Sequence, residues 1–197
     1  MSAWRTPVTL GGRHVVLRPL ERSDAAALAA AAADQLDLFY ANVALMRDPE
    51  AVVDGVLSDQ AAGRALPFAV TLPTGEVVGT TRLMRMNEAH RRLEMGGTFY
   101  ATRVQRTGVN TEAKRLLFGH AFDTLGCVSV QLRTDHLNRR SQAAIERLGA
   151  RRDGVLRGHQ IVDGRRRDTI VYSVQDHEWP GVAMNLDRLL ARGGASA

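Results

Sequence analysis

The apolar and polar positions of this chain repeat with two periods, and the switches between them outline the fold. Val109, Ala113, Leu116, Leu117, Ala121 and Leu125 recur at spacings of three and four, which predicts a helix over 107–125 closed by Gly126. Just after it, "VSVQLRTD" (128–135) alternates apolar and polar residues as a half-buried strand does. Just before it, "RRLEMGGTFYA" (91–101) reads as another strand, so 91–135 forms a β-α-β unit with parallel strands.

The remaining elements carry local signals. "HVVLRPL" (14–20) is a first strand, followed by an alanine-rich helix with Ser23 or Asp24 as N-cap. A second helix starts after Asp48-Pro49 and ends near Ala62, before Gly63. "LPFAVTL" (66–72) and "EVVGTTRLMRM" (76–86) flank the turn Pro73-Thr74-Gly75. "NRRSQAAIERLG" (138–149) is a helix signed at both ends, by Asn138 and by Gly149. "GVLRGHQIV", Asp163-Gly164 and "RDTIVYSVQ" form a hairpin, and a last amphipathic stretch follows. The class is α+β (α/β in looser schemes): a mixed, mostly antiparallel sheet of about seven strands flanked by helices. No repeat or linker divides the chain, so 1–192 is expected to be one domain and 193–197 a flexible tail.

Composition narrows the function classes. Of 197 residues, 45% are hydrophobic and 24% charged, as in soluble globular proteins. No apolar run serves as a secretory signal, and Ala25–Ala33 is too short to span a membrane. The single Cys127 suits a reducing compartment, so the expectation is a cytoplasmic protein without a membrane. The net charge of +5 comes mostly from arginine and leaves nucleic acid, an anionic cofactor or an acidic partner open. No aromatic residues interleave with the arginines at 151, 152, 157, 165, 166 and 167, which argues against nucleic acid. No His/Cys spacing matches a zinc pattern, so no metal is expected.

"RVQRTGVNTEAKRLL" (103–117) places Gln105, Thr107, Gly108, Asn110 and Thr111 where a helix begins. The amides of a first helical turn lack partners and sit at the positive end of the helix dipole, which makes such a loop a seat for phosphate. Gly108 would let a backbone approach closely, and Arg103, Arg106 and Lys114 add charge. A capped helix with a polar loop explains the same residues. Neither a Walker loop nor a dinucleotide fingerprint is present.

"QRTGVN" after a strand, then "TEAKRLL", then "NRRS" after the next strand, resembles the GNAT acetyltransferases, in particular the RimJ/RimL-like branch. The similarity runs from "HVVLRPLERSD" to Glu178-Trp179. It implies an N-acetyltransferase that uses acetyl-CoA to acylate a primary amine, on a protein N-terminus or a small molecule. The family's phosphate loop has glycine or alanine where this chain has Asn110. By the same resemblance Tyr100, Gln105, Arg106, Thr107, Gly108, Val109, Asn110, Thr111 and Arg140 would contact the coenzyme, with Asn138 bonding its pantetheine arm. Ser141 would protonate or stabilise the departing thiolate and Glu94 would deprotonate the amine, directly or through water. His120, His136 and His159 are rival bases, and Cys127 would be needed for a covalent route. Trp4, Phe39, Tyr40 and Phe68 are candidates for the acceptor pocket, with loops 34–47 and 158–168 around it. A homodimer is compatible with this reading. Its rivals are a silent CoA-binding module and an arginine-based nucleic-acid binder.

Overall fold

The computed structural model describes residues 2–33 and 42–193. The strands are β1 (Leu10–Gly11), β2 (Val16–Pro19), β3 (Ala65–Thr71), β4 (Val77–Asn87), β5 (Arg92–Tyr100), β6 (Ser129–Asp135), β7 (Arg151–Val162) and β8 (Arg165–Gln175). The helices are α1 (Ala25–Ala32), α2 (Asn42–Arg47), α3 (Pro49–Ala61), α4 (Gly108–Gly119), α5 (Arg139–Leu148) and α6 (Trp179–Gly193). Among the described residues the sheet has eight strands in the order β1-β2-β3-β4-β5-β6-β8-β7. Only β5 and β6 pair in parallel, so the α+β class and the central β-α-β unit stand as expected.

The extra strand is β1, two residues long and paired with β2. Its hydrophobic pattern is too short to read in sequence. At α1 the N-cap position falls on Asp24, but its carboxylate makes no forward cap. It takes Arg18 Nη1 at 2.8 Å and the Glu21 N–H at 2.9 Å instead. A charged partner outweighs one neutral amide here. The other caps behave locally: Asp48 Oδ1 accepts from Ala51 N at 3.0 Å, and Asn138 Oδ1 from Ser141 N at 2.9 Å. Gly149 takes φ +103°, a left-handed end that any side chain would strain.

α4 does not stop at Gly119. It continues as one wide turn over His120–Thr124, and the Trp179 indole of α6 packs on Phe122 and Phe118 with ring centroids 5.5 and 5.9 Å apart. Trp179 Nε1 donates to Asp123 at 2.9 Å, and Arg115 lies 5.1 Å above the indole. This clamp fixes the C-terminal half of α4 and the turn after it against α6. No helix among the described residues is long and apolar enough to cross a membrane.

Candidate active site

The site begins where the parallel pair comes apart. β5 and β6 pair at Arg92, Leu93 and Glu94 with Ser129, Val130 and Gln131, and no further. Beyond that point β5 follows β4 to Tyr100, while β6 follows β8 to Asp135. The cause is a bulge. The β4 register jumps between Thr80 and Arg82, and Gly97 sits opposite with φ +56°. The positive φ is what calls for glycine here, and its missing side chain leaves the space that the Arg82 guanidinium occupies. The "GG" in "EMGGTF" was the sequence signal for this bend, and the strand pattern around it concealed it.

Two cavities meet at the gap. The larger, about 840 Å³, runs along β5 from Met95 to Tyr100 and between α4 and α5. Gln105, Arg106, Thr107, Asn110, Arg140 and Ser141 border it. The smaller, about 300 Å³, lies under α1–α3, which give it Leu28, Leu45, Val53 and Val56. Asn138, Arg82, Asp135 and Arg167 form its polar wall. Gly97, Thr98, Phe99, Arg133 and Ser141 border both cavities.

The loop before α4 is braced from within. Gln105 Nε2 donates to Tyr100 O at 2.8 Å, and Thr107 Oγ1 donates to Val104 O at 2.6 Å while accepting from Val109 N at 3.3 Å. Arg106 takes φ +62°, a left-handed conformation that a braced loop must enforce. Gly108, Val109 and Thr111 are placed differently from the sequence expectation. The space beside Gly108 is filled by the His14 ring, 2.9 Å from where a Cβ would lie, so its missing side chain serves packing. Val109 is core, and the Thr111 hydroxyl is buried and accepts from Arg147 Nη2 at 3.1 Å. Their contribution to an anion site would be through amides at the helix start. Asn138 borders the smaller cavity and not the larger one.

The charges expected around the loop sort into three fates. Arg103 is spent on Glu76 at the surface. Arg106 borders the larger cavity, joined there by Arg140 and Arg147. Lys114 also borders it but is 5% exposed, bonds Thr98 Oγ1 at 3.1 Å and has no carboxylate partner among the described residues. Burial lowers its pKa to about 7. Since the unfolded lysine holds its proton up to about 10.5, the unfolded state binds more protons between these values, and stability must rise with pH across that window. Lys114→Met is therefore expected to raise the melting temperature at pH 7 and to flatten its rise towards pH 10 in calorimetric scans.

Glu94 is 6% exposed and borders neither cavity directly. Its Oε2 meets Arg85 Nε at 2.9 Å and Arg133 Nε at 3.1 Å. Oε1 lies 3.6 Å from where a Cβ on Gly96 would sit, in the wall of the larger cavity. Burial pushes the carboxyl above its usual range, and the charges of Arg133 and Arg85 oppose that shift without cancelling it. Asp135 is the converse: burial alone would raise it, but Arg165, the Leu137 N–H and Arg167 hold it below the carboxylate range. Two arginines of the hairpin cluster, Arg165 and Arg167, thus turn inward to Asp135.

The rival residues lie elsewhere. His120, His136 and His159 border neither cavity. Cys127 is 2% exposed, and burial pushes its thiol up to about 12, which makes it a poor nucleophile. Trp4 and Phe68 belong to the core, while Phe39 and Tyr40 lie outside the described residues. From the expected acceptor loops, Leu45 and Arg167 reach the smaller cavity.

The sequence and the fold as a whole have relatives among known proteins. The family model for the acetyltransferase (GNAT) domain matches residues 14–151. YdaF of Bacillus subtilis, assigned by name to ribosomal N-acetylation, is 30% identical over 107 residues, 54% of this chain and 58% of YdaF. A GCN5-related N-acetyltransferase from Brucella melitensis is 29% identical with a TM-score of 0.79, covering 93% of this chain and 85% of that one. Mycobacterium smegmatis RimJ, solved with CoA-disulfide, is 25% identical with a TM-score of 0.80, covering 94% and 96%. The chain belongs to the GNAT acetyltransferase family, on its RimJ/RimL-like side.

Proposed function

We propose that this chain transfers an acetyl group from acetyl-CoA to a primary amine by direct attack in a ternary complex. The observation that carries this is the meeting of two cavities at the β5/β6 split, bordered on both sides by Thr98, Arg133 and Ser141. A donor and an acceptor can enter from opposite sides of the sheet and meet there. The RimJ relative solved with CoA-disulfide supports coenzyme A as the donor, and the size and basic border of the larger cavity favour it as the donor's seat.

The residues present fit that group. The amides at the start of α4, with Arg106, Arg140 and Arg147, suit a pyrophosphate. The edge of β5 beyond Glu94 has main-chain groups without a strand partner, which suit an extended amide-bearing arm. Acetyl-CoA supplies an activated acyl thioester. The amine must reach it neutral, and Glu94 Oε1 takes its proton, through a water at the Gly96 wall. The N–C bond forms, the C–S bond breaks, and the proton the amine nitrogen sheds after attack passes through the Ser141 hydroxyl, which gives one proton and takes one, to the departing thiolate. Thr98 Oγ1, which shares hydrogen bonds with Thr81 at 2.7 Å and Lys114 at 3.1 Å, orients the rim between the cavities. The buried Cys127 takes no part, so no acetyl-enzyme forms. The acceptor is a protein N-terminus or a small amine; the name of YdaF assigns that relative to ribosomal N-acetylation.

Calorimetric titration with acetyl-CoA tests this first. The wild type is expected to bind in the micromolar range, and Ala144→Trp, which fills the α5 wall of the larger cavity, to lose roughly a hundredfold, about 2.7 kcal/mol. No binding to the wild type overturns the proposal.

A further inference from the structure

The acyl acceptor has chemistry written into the smaller cavity. Arg82 borders it from β4, half-buried, with no hydrogen bond or ion pair among the described residues. Its guanidinium lies against Gly97, in the space a side chain there would occupy. The surrounding cations are also in excess. Glu94 is shared by Arg85 and Arg133, and Asp135 by Arg165 and Arg167, while Arg82 has no carboxylate at ion-pair distance and feels Asp59 and Glu94 only from farther off. Arg165 Nη1 and Arg167 Nε are buried with no hydrogen-bond partner. Burying a guanidinium with donors unmet is costly unless something arrives to meet them. The opposite wall, from Leu28, Leu45, Val53 and Val56, is apolar and offers nothing to a second cation.

Resting on the reading that the smaller cavity receives the acceptor, we propose that the acceptor is an amine carrying an anionic group, a carboxylate or a phosphate. That group docks on Arg82 and Arg167 while the amine reaches the rim at Thr98 and Ser141. Arginine suits this task because its fork of donors matches either anion and its charge persists at any working pH. The chemistry excludes polyamines as preferred acceptors, since a second ammonium group would meet the arginines. Asp135, held ionised by the same arginines, neutralises one charge of the Arg165–Arg167 pair, so that the remainder on Arg167 and the charge of Arg82 stay available to the ligand.

The test is a set of matched acceptors, each anion beside its neutral counterpart, at saturating acetyl-CoA. Ala-Asp amide is set against Ala-Asn amide, β-alanine against β-alaninamide, phosphoethanolamine against ethanolamine, with spermidine as the cationic control. At least one anionic member is expected to exceed its partner in kcat/KM by about tenfold or more, the scale of one charge-assisted contact. Which pair responds separates carboxylate from phosphate. Arg82→Gln is expected to bring that ratio close to one, chiefly through KM. Calorimetric binding of the same pairs to the CoA-loaded protein reads the preference even without transfer. Neutral or cationic members preferred in both assays, or a preference that survives Arg82→Gln, overturns this inference and leaves acetyl transfer standing. Loss of acetyl-CoA binding itself would overturn the reading beneath it.

Discussion

Replacing Glu112 by alanine is expected to lower the melting temperature by roughly 10 °C. The Glu112 carboxylate on α4 accepts three main-chain amides from the β1–β2 connection: Arg13 at 2.9 Å, His14 at 2.5 Å and Val15 at 2.9 Å. Gly12 lies against the same side chain, with no room for a Cβ. Truncation leaves all three donors unmet, at least one of them fully buried. At about 1–3 kcal/mol for each, the loss is on the order of 4 kcal/mol. For a domain of this size each kcal/mol moves the midpoint by about 2–4 °C. Glu112→Gln keeps the shape and one acceptor oxygen, and its drop should be roughly half as large. The effect should reach the proposed coenzyme loop as well, because His14 packs on Gly108 at the start of α4. A weaker acetyl-CoA affinity is therefore expected to accompany the lower midpoint. A shift of only a degree or two by calorimetry would show that water or a rearranged loop serves these amides.

That anchor explains why part of the fold was legible in the sequence and part was not. Asn138 and Gly149 mark the ends of α5 by interactions within a few residues, and a sequence displays those directly. The Asp163-Gly164 turn is equally local, both residues having positive φ as a two-residue hairpin loop requires. β1 is two residues long and depends on a carboxylate 97–99 positions away, which no periodicity can show. Lys114 fell within a run of polar residues and read as loop charge, yet helix geometry turns it onto Thr98 beneath the surface. Gly108 read as a phosphate glycine, and only the return of the chain at His14 shows what its small size accommodates. The two-cavity arrangement was hidden for the same reason. It needs β5 to leave β6 at a bulge whose register is set by β4. The hairpin arginines were visible as a cluster, but their division between solvent and Asp135 follows from the β7–β8 pairing that carries them back over β6.

Glu94→Gln is expected to lower kcat/KM by about 10²- to 10⁴-fold, the range for loss of a positioned base. The substitution keeps the side-chain length and one oxygen beside Arg85 and Arg133, so acetyl-CoA affinity should persist while turnover falls. The pH dependence separates this role from a structural one. A base must be ionised to act, and burial raises the Glu94 carboxyl above the ordinary carboxylate range. Activity of the wild type should therefore climb with pH through that raised value, and through a second limb where the free amine itself loses its proton. In Glu94→Gln the first limb disappears and the amine's limb remains, because only the latter belongs to the substrate. Varying the acceptor tests the assignment further. A less basic amine should move one limb and leave the Glu94 limb in place. If both enzymes share one profile that follows the amine alone, Glu94 serves to hold Arg133 at the border of the two cavities, and the proton leaves directly to solvent. If Glu94→Gln instead loses acetyl-CoA binding in parallel with turnover, the two arginines it restrains are shaping the β5/β6 split, and the defect lies upstream of proton transfer.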